Sequence, residues 1–440
     1  MYELPEQFIK RMKKQLPENE WEAFFACYEK TPYKGVRLNP LKGGMDEMKA
    51  LLPFIEEPVA WEKNGYYTRE EKLGASPYHF AGAFYSQEPS AMSAAPLLEV
   101  KEGEKVLDLC SAPGGKGTQL ACEMNGKGLI VLNEPISSRA KILSQNVERM
   151  GIKNAVVTNE YPETLATRFA GYFDKILVDA PCSGEGMFRK NADEALGEWS
   201  EENVALCAQR QSFILEKATE MLKKGGRLVY STCTFSAEED EGQVRDYLQK
   251  YPQMRLIKQE KLYPHKVKGE GHFVALFEKI EKTAEWDSRI KPAKHSVTPK
   301  SEKAYRDFER AFFKEKFAFR LYEVGGFLYE LPEETFDWKG LNVLRVGVRL
   351  GEVKNDRFEP SHSIAACVKA DECKNALSLS IEDGRVEKYL RGETVEADIA
   401  NGWCVVCVHG YPLGLGKAVN GTVKNHLPKG LRKEIKEKNT

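Results

Sequence analysis

Hydrophobic positions between residues 105 and 280 form short apolar runs that alternate with longer amphipathic segments. The short runs are bounded by turn residues and predict buried strands at 106–109, 129–132, 155–158, 175–178 and 227–230. The segments between them have apolar residues at helical spacing and predict helices at 114–124, 137–150, 162–169, 201–223 and 236–250. Strands separated by single helices predict a parallel, doubly wound α/β sheet. A sixth run, 272–277, predicts an antiparallel strand inserted at the end of the sheet.

The residues before this region predict a smaller α+β module. Phe8, Met12 and Leu16 lie on one face of a first helix, and a second, aromatic-rich helix ends near residue 30. Further short elements complete the module, with strands predicted at 36–41, 66–67 and 80–85 and helices at 45–52 and 90–98.

The residues after 280 begin with a polar, charged stretch that contains two prolines and predicts a linker. A helix at 305–319 and strands at 327–331, 343–346, 348–350 and 403–408 follow. We therefore expect an N-terminal module at 1–95, the α/β domain at 96–280, a linker at 281–304, an intermediate domain at 305–385 and a C-terminal module at 386–440.

Composition narrows the class of protein. The 440 residues carry a net charge of −1, so any contact with a nucleic acid needs a local basic patch. No run of 18 apolar residues predicts a membrane span, and no signal peptide is visible. The ten cysteines are irregularly spaced, which favours free thiols in a reducing cytoplasm over a disulfide framework.

The first strand of the α/β domain leads through a glycine loop directly into a helix. In an open α/β sheet a cofactor binds at this place, beside the free N–H groups of the helix. The spacing fits neither a P-loop nor a dinucleotide motif. Glu134, after the second strand, is suited to bind both hydroxyls of a ribose, so S-adenosylmethionine fits as the cofactor. We expect the loop to hold it through Cys110, Ser111, Ala112, Pro113, Gly114, Gly115 and Lys116.

Two cysteines follow the fourth and fifth predicted strands, whose ends face the same crevice. Asp179 and Cys182 follow the fourth strand, and Cys233 follows the fifth. Carbon 5 of cytosine is a poor nucleophile until a thiolate adds to carbon 6, and a carboxyl group bonded to ring N3 would stabilise the charge that this addition creates. The Asp-Ala-Pro-Cys sequence also differs from the Asn/Asp-Pro-Pro-Tyr motif of enzymes that methylate exocyclic amines.

Three blocks occur together: Cys-Ser-Ala-Pro-Gly-Gly-Lys at 110–116, Asp-Ala-Pro-Cys-Ser-Gly-Glu-Gly at 179–186 and Tyr-Ser-Thr-Cys-Thr at 230–234. They resemble the signature blocks of the Sun-type RNA 5-methylcytosine methyltransferases, most closely the bacterial RsmF (YebU-like) group that acts on 16S rRNA. Arg37-Leu-Asn-Pro40 resembles the N-terminal motif of that family, and 411–425 its PUA-like tail. The resemblance implies a Rossmann-like class I methyltransferase core between an N-terminal RNA-binding module and C-terminal α+β and PUA-like modules.

The resemblance also implies roles for single residues. Cys233 would be the nucleophile, and Cys182 would help to release RNA from the covalent adduct. Asp179 would contact the base, the methionine end of the cofactor or both, and Glu134 would hold the ribose. The family has an aspartate near the adenine after the third strand, where this chain has Tyr161 in an ungapped comparison, so we expect nearby Asn159 to make that contact.

RNA contacts are expected from basic residues near the blocks and in the tail. Arg189 and Lys190 follow the 179–186 block, and Lys417 and Lys424 belong to the basic segment 409–440, where His409, Tyr411 and Asn425 are available for stacking and polar contacts. Cys404 and Cys407 lie within an apolar run without a second pair of suitable spacing, so we expect no metal site.

The expected function is methylation of carbon 5 of a cytosine in 16S rRNA or the small ribosomal subunit by a cytoplasmic, monomeric enzyme. Two alternatives stay open. The same chemistry could act on tRNA or 23S rRNA, or the chain could be an RNA-binding ribosome-assembly factor without turnover. The intact glycine loop, Asp179, Cys182 and Cys233 weigh against the second alternative.

Overall fold

The computed structural model describes residues 4–281, 290–294 and 296–433. Its N-terminal domain contains a four-stranded sheet with strand order β2-β3-β1-β4. The elements are α1 (Glu6–Gln15), α2 (Trp21–Phe25), β1 (Lys34–Leu38), α3 (Met45–Ala50), β2 (Ile55–Pro58), β3 (Gly65–Thr68), α4 (Pro77–Phe80) and β4 (Phe84–Ser86).

The strand predicted at 80–85 is wrong over its first half. The Ser76 side chain accepts a hydrogen bond from the backbone N–H of Tyr78, and Pro77 occupies the first turn, so a short helix begins there and only Phe84–Ser86 is extended. The helix predicted at 90–98 is two 3₁₀ turns, Ser90–Ser93 and Ala95–Leu98.

The central domain confirms the predicted doubly wound sheet. Parallel pairing joins β7, β6, β5, β8 and β9 in that spatial order, and β11 pairs antiparallel with β9. The elements are β5 (Lys105–Asp108), α5 (Gly115–Glu123), β6 (Leu129–Asn133), α6 (Ser137–Arg149), β7 (Ala155–Thr158), α7 (Pro162–Arg168), β8 (Phe173–Asp179), α8 (Ala192–Glu198), α9 (Glu201–Met221), β9 (Leu222–Thr232), α10 (Glu241–Lys250), β10 (Met254–Leu262) and β11 (His272–Lys279).

Strand β10 lies at the sheet edge beyond β11 and is absent from the sequence prediction. Its middle residues are charged or exposed, so the strand lacks the apolar run that reveals a buried one. The helix predicted from residue 236 begins only at Glu241.

The remaining chain forms two further sheets, with orders β12-β13-β15-β16 and β17-β19-β20-β21-β18. The elements are α11 (Pro299–Phe312), β12 (Leu321–Val324), β13 (Phe327–Glu330), β14 (Val343–Val346), β15 (Val348–Lys354), β16 (Arg357–Pro360), α12 (His362–Ala366), β17 (Ala376–Leu379), α13 (Gly384–Leu390), β18 (Val395–Glu396), β19 (Gly402–Val408), β20 (Tyr411–Val419) and β21 (Thr422–Asn425).

Two boundaries differ from those predicted. The linker predicted at 281–304 lies partly outside the described residues, and its last part is already helical because Thr298 caps α11, which ends at Phe312 rather than near residue 319. Strand β14 comes from the intermediate region but pairs antiparallel with β7, with Val346 opposite Val156. It is therefore the eighth strand of the central sheet.

The N-terminal and C-terminal domains share one hydrophobic core, although more than 300 residues of chain separate them in places. Val36, Leu38 and Phe84 pack in the same buried cluster as Val406 and Leu413. Tyr78 reinforces the contact, since its hydroxyl lies 2.5 Å from His409 Nδ1. The first and last domains thus stabilise each other directly.

This shared core predicts that Leu413→Ala destabilises both domains. Leu413 is 1% exposed, and truncating a buried leucine costs about 2–5 kcal/mol. Chemical denaturation should show that loss, and hydrogen exchange should show weaker protection in β1. Leu206→Ala, at a residue that is 58% exposed, is the control and should change stability by less than about 0.5 kcal/mol. Unchanged protection of β1 in Leu413→Ala would refute the shared core.

Candidate active site

A cleft of about 310 Å³ opens at the carboxyl ends of β5, β8 and β9. The central domain contributes most of its wall, and the N-terminal domain adds Tyr85 and Gln87. Of the predicted site residues, the cleft brings together Cys110, Ser111, Ala112, Pro113, Gly115, Lys116, Asp179, Lys190 and Cys233. The cleft therefore collects groups from all three blocks of the sequence.

Two glycines shape the junction between the β5–α5 loop and α5. Gly114 has a φ of 112°, which favours glycine, and it precedes the first residue of α5. At Gly117 a Cβ atom would lie 2.5 Å from Ser111 Oγ and 2.8 Å from Asp108 Oδ2. The first turn of α5 thus lies directly against the end of β5, and its N-terminus faces the cleft.

Asp108 is fully buried at the end of β5, where it lines the cleft. Neither carboxylate oxygen forms a hydrogen bond of good geometry among the described residues, although the Ser111 hydroxyl and the Cys110 backbone N–H lie near enough to lower its pKa. Burial raises its pKa to about 7, and the nearby Asp179 carboxylate adds to the rise. A buried acceptor without a partner is costly, so this side chain is suited to a polar or cationic ligand group.

Two neighbours hold Asp179, and a third lies farther away. Lys116 Nζ lies 2.8 Å from Oδ2, Ser231 Oγ donates to Oδ1 over 2.8 Å, and His272 Nε2 lies 3.9 Å from Oδ1. Burial acts to raise the pKa of Asp179, but the Lys116 ammonium group and the Ser231 hydroxyl hold it below its ordinary value. Asp179 is therefore an ionised acceptor beside a buried ammonium group.

His272 is a site residue that the sequence analysis did not single out. It is buried in the cleft wall, and neither ring nitrogen has a partner among the described residues. Burial, with the charge of Lys116, lowers its pKa to about 3, so the ring is neutral. The only sequence signal was its position as the first residue of β11, after a glycine turn.

The two predicted catalytic thiols are adjacent. Cys182 Sγ and Cys233 Sγ are 3.3 Å apart, and the backbone N–H of Cys233 donates to Cys182 Sγ over 3.4 Å. The Cys233 thiol and burial raise the pKa of Cys182 well above its ordinary value. Cys182 consequently keeps its proton at neutral pH.

Glu134 and Asn159 lie side by side at the next two strand ends. Glu134 is buried; its Oε1 accepts from the backbone N–H of Ile136 over 2.9 Å, and Arg139 lies 3.5 Å from Oε2. Asn159 donates both amide hydrogens, to the carbonyls of Glu134 and Pro135, each over 2.8 Å. Its amide hydrogens therefore hold the Glu134 turn, and the predicted contact with adenine stays a prediction.

Arg189 does not lie where a phosphate contact requires it. Its guanidinium forms two 2.7 Å bonds to the Glu270 carboxylate and a third to the Cys27 carbonyl, and the side chains of the pair are 4% and 1% exposed. The prediction of an RNA contact is wrong for this residue because its charge is buried and paired. Lys190, the next residue, is exposed at the cleft and keeps its predicted role as a candidate.

The residues of the C-terminal domain that were predicted to contact RNA also fall into two groups, lysines that stay candidates and side chains that pack within the protein. Lys424 is exposed, and Lys417 Nζ lies 5.4 Å from the centroid of the Trp403 ring. His409 and Tyr411 instead pack on Tyr78 of the N-terminal domain, and Asn425 donates to the carbonyls of Tyr389 and Glu393. These last three side chains serve the fold.

Arg37 connects the N-terminal domain to the glycine loop and the first turn of α5. It is buried, and it donates to Gln87 Oε1, the Gly115 carbonyl and Thr118 Oγ1 over 3.0, 3.0 and 2.8 Å. None of these acceptors is charged. In the sequence its motif is visible only as a family resemblance, because the contacts with Gly115 and Thr118 lie 78 and 81 residues further along the chain.

Within the ranges that the structure describes, no group of three or more His, Cys, Asp or Glu residues has an arrangement that could hold a metal ion. Likewise, no helix among these residues is long and apolar enough to cross a membrane.

The sheet order, with an antiparallel strand inserted at its end, and the ligand cleft at the strand ends define a class I methyltransferase fold. A methyltransferase homologue from Pyrococcus horikoshii shares it at 26% identity, with a TM-score of 0.55 over 63% of this chain and all of that one. NSun6 from Pyrococcus horikoshii, solved with SFG, shows the fold again at 21% identity and a TM-score of 0.58, over 63% of this chain and 99% of that one.

The chain belongs to the 16S rRNA methyltransferase RsmB/F family, whose model matches residues 95–279. Models for the RsmF N-terminal domain, first C-terminal domain and PUA domain match 4–89, 307–368 and 376–433. Ribosomal RNA small subunit methyltransferase F of Shewanella sp. (strain ANA-3) is 32% identical over 99% of this chain and 98% of its own length. The protein of that name from Vibrio atlanticus (strain LGP32) is 30% identical over the same shares.

The buried Arg189–Glu270 pair predicts a difference between neighbouring residues. Arg189→Ala leaves the Glu270 charge buried without its partner and should destabilise the fold by about 3–5 kcal/mol in urea denaturation. Lys190→Ala removes an exposed charge and should stay within about 0.5 kcal/mol of wild type. Equal stability of the two variants would show that the ion pair contributes nothing to the fold.

Proposed function

We propose that this protein methylates carbon 5 of a cytosine in 16S rRNA, with S-adenosylmethionine as methyl donor and a transient covalent bond between Cys233 and the base. The observation that carries the proposal is the pair of thiols 3.3 Å apart, with Cys233 in the wall of the cleft that the glycine loop also lines. An enzyme that methylates an exocyclic amine needs no such pair.

The reaction follows from what a cytosine ring requires. The Cys233 thiolate adds to carbon 6, which places electron density on carbon 5, and carbon 5 then takes the methyl group. Loss of the carbon 5 proton and of the Cys233 sulfur restores the ring and frees the enzyme. Lys116 and Asp179 lie beside Cys233 in the cleft, where an ammonium group can stabilise the negative charge that addition creates.

The two thiols have different roles in this scheme. The pKa of Cys182 is raised well above its ordinary value, so Cys182 is protonated when the cleft is free of RNA. A protonated thiol is a poor nucleophile but can exchange protons. Cys182 therefore fits the release step, and Cys233 fits the attack.

The cleft also fits the cofactor. S-adenosylmethionine supplies a methyl group on a sulfonium centre and carries an ammonium group at its methionine end. The buried Asp108 carboxylate is suited to that cationic end, Glu134 after β6 would hold the ribose, and residues 110–116 would surround the rest beside the α5 N-terminus. Asn159 would contribute by holding the Glu134 turn.

The names of the full-length relatives favour the small-subunit RNA over tRNA or 23S rRNA. The complete set of cleft residues disfavours an assembly factor without turnover. We infer that the protein acts as a monomer in the cytoplasm, and that the target cytosine leaves its stack to reach Cys233.

Substitution of each thiol tests the mechanism. Purified wild type should transfer a labelled methyl group from S-adenosylmethionine to 16S rRNA or small subunits. Cys233→Ala should lose transfer by more than about 10³-fold and form no adduct, because no thiol adds to carbon 6. Cys182→Ala should accumulate a covalent RNA–protein adduct that survives denaturing gel electrophoresis, because release of the RNA from Cys233 is blocked.

Cys207→Ala, at a thiol of α9 outside the cleft lining, is the matched control and should retain transfer. A stable adduct in Cys233→Ala would assign the nucleophile elsewhere. Transfer to tRNA or 23S rRNA but not to 16S rRNA would replace the substrate and keep the chemistry.

Basic residues at two places support RNA binding outside the cleft. Lys190 lies at the cleft, while Lys417 and Lys424 face the Trp403 side of the C-terminal domain. Trp403 and His426 line a larger groove of about 510 Å³ between the intermediate and C-terminal domains. Lysines beside an aromatic surface are suited to phosphates that flank a stacked base.

These lysines should each contribute to affinity rather than to turnover. Lys190→Ala, Lys417→Ala and Lys424→Ala should each weaken RNA binding and lower the slope of log K against log salt concentration by about 0.7–1. Fluorescence anisotropy at several salt concentrations measures both quantities. Lys339→Ala, at an exposed lysine of the intermediate domain, should leave the slope unchanged. An unchanged slope in the first three variants would remove these residues from the interface.

A further inference from the structure

Two adjacent carboxylates, Glu239 and Asp240, lie buried just before α10, behind the loops that carry Cys182 and Cys233. Burial raises the pKa of Glu239, and it raises that of Asp240 to about 8. Neither residue lines the cleft. Burying two adjacent carboxyl groups costs free energy unless hydrogen bonds offset it, and both residues make such bonds.

The bonds of Glu239 lie on both sides of Cys182. Its carboxylate accepts from the backbone N–H of Ser183 over 3.0 Å and from Ser183 Oγ over 2.5 Å. It also accepts from Gln211 Nε2 over 2.8 Å, and the same nitrogen donates to the Pro181 carbonyl over 3.0 Å. Glu239 and Gln211 thus hold the residues immediately before and after Cys182.

The bonds of Asp240 lead to Cys233 in the same manner. Thr232 Oγ1 donates to its Oδ1 over 2.6 Å, and Lys261 Nζ lies 2.9 Å from its Oδ2. On the other side of Cys233, Thr234 Oγ1 lies 2.8 Å from Ser183 Oγ. The residues that flank Cys233 are therefore tied to Asp240 and, through Ser183, to Glu239.

We propose that Glu239 and Asp240 are positioning residues that together set the separation of the Cys182 and Cys233 thiols. Glu239, Asp240 and their hydrogen-bond partners hold the residues on both sides of each cysteine, namely Pro181, Ser183, Thr232 and Thr234. Neither the loop that carries Cys182 nor the loop that carries Cys233 can therefore move without breaking a buried bond. The catalytic meaning of this separation rests on the proposed function, because attack and release must act on the same cytosine.

A measurement without substrate tests the geometry. Diamide takes two electrons and two protons from a pair of thiols, so that an S–S bond forms and diamide becomes a hydrazine derivative. We expect wild type to form the Cys182–Cys233 disulfide readily, and Glu239→Gln and Asp240→Asn to form it at least about fivefold more slowly, as mass spectrometry of peptides would show. The Glu239 charge raises the pKa of Cys182, so loss of that charge alone would favour the thiolate and speed disulfide formation. Slower disulfide formation in Glu239→Gln would therefore show that the two thiols have moved apart.

Two further variants complete the design. Ser183→Ala removes only the hydroxyl that connects Glu239 to Thr234 and should also slow the disulfide, which keeps the test available if a carboxylate variant fails to fold. Glu238→Gln, at the exposed neighbouring glutamate, should match wild type. Unchanged rates in folded Glu239→Gln, Asp240→Asn and Ser183→Ala, or no disulfide in wild type, would overturn the proposal.

Turnover connects the geometry to catalysis. In methyl transfer to 16S rRNA we expect Glu239→Gln and Asp240→Asn to lower kcat by about 10- to 100-fold with the KM values for RNA and S-adenosylmethionine within about twofold. Glu239→Gln should also accumulate adduct although Cys182 is present. Changes confined to KM would contradict a positioning role. A wild type without transfer to RNA would refute the proposed function and leave the disulfide result standing.

Discussion

The active site depends on one constraint of the sheet, namely that β8 and β9 are parallel neighbours whose carboxyl ends are level. Asp179 pairs with Ser231 in the register of these strands. Each strand then needs only two or three further residues to reach its cysteine, and the two sulfur atoms meet although 51 residues separate them in the chain. Parallel strands place both ends at one edge, where an antiparallel pair would send them to opposite edges.

The N-terminal domain completes this edge. Arg37 reaches from β1 to the first turn of α5. Tyr85 and Gln87 of the same domain form part of the cleft wall. Since the acceptors of Arg37 are uncharged, its buried charge is balanced by dipoles, an arrangement that tolerates little displacement. The C-terminal domain then packs on the same module. The glycine loop is therefore connected through Arg37 to the N-terminal domain, and through the shared hydrophobic core to the C-terminal domain.

Local signals made much of this structure predictable. The five parallel strands follow short apolar runs, and the three motif blocks contain cofactor and cysteine residues that the cleft brings together. Features that depend on distant contacts were not predictable. The charged strand β10 has no apolar run, β14 belongs to another sheet than its neighbours in sequence, and the burial of Arg189 depends on Glu270, 81 residues further on.

The pairing of β14 with β7 has a consequence for the growing chain. During synthesis β7 is an open sheet edge until residues 343–346 have emerged, some 185 residues later. At about 5–20 residues per second this delay is on the order of 10–40 s, long compared with the folding of most domains. An unpaired edge of apolar residues invites pairing with a neighbouring nascent chain on the same messenger RNA. The catalytic sheet is therefore most vulnerable while the ribosome is still making the part of the protein that protects it.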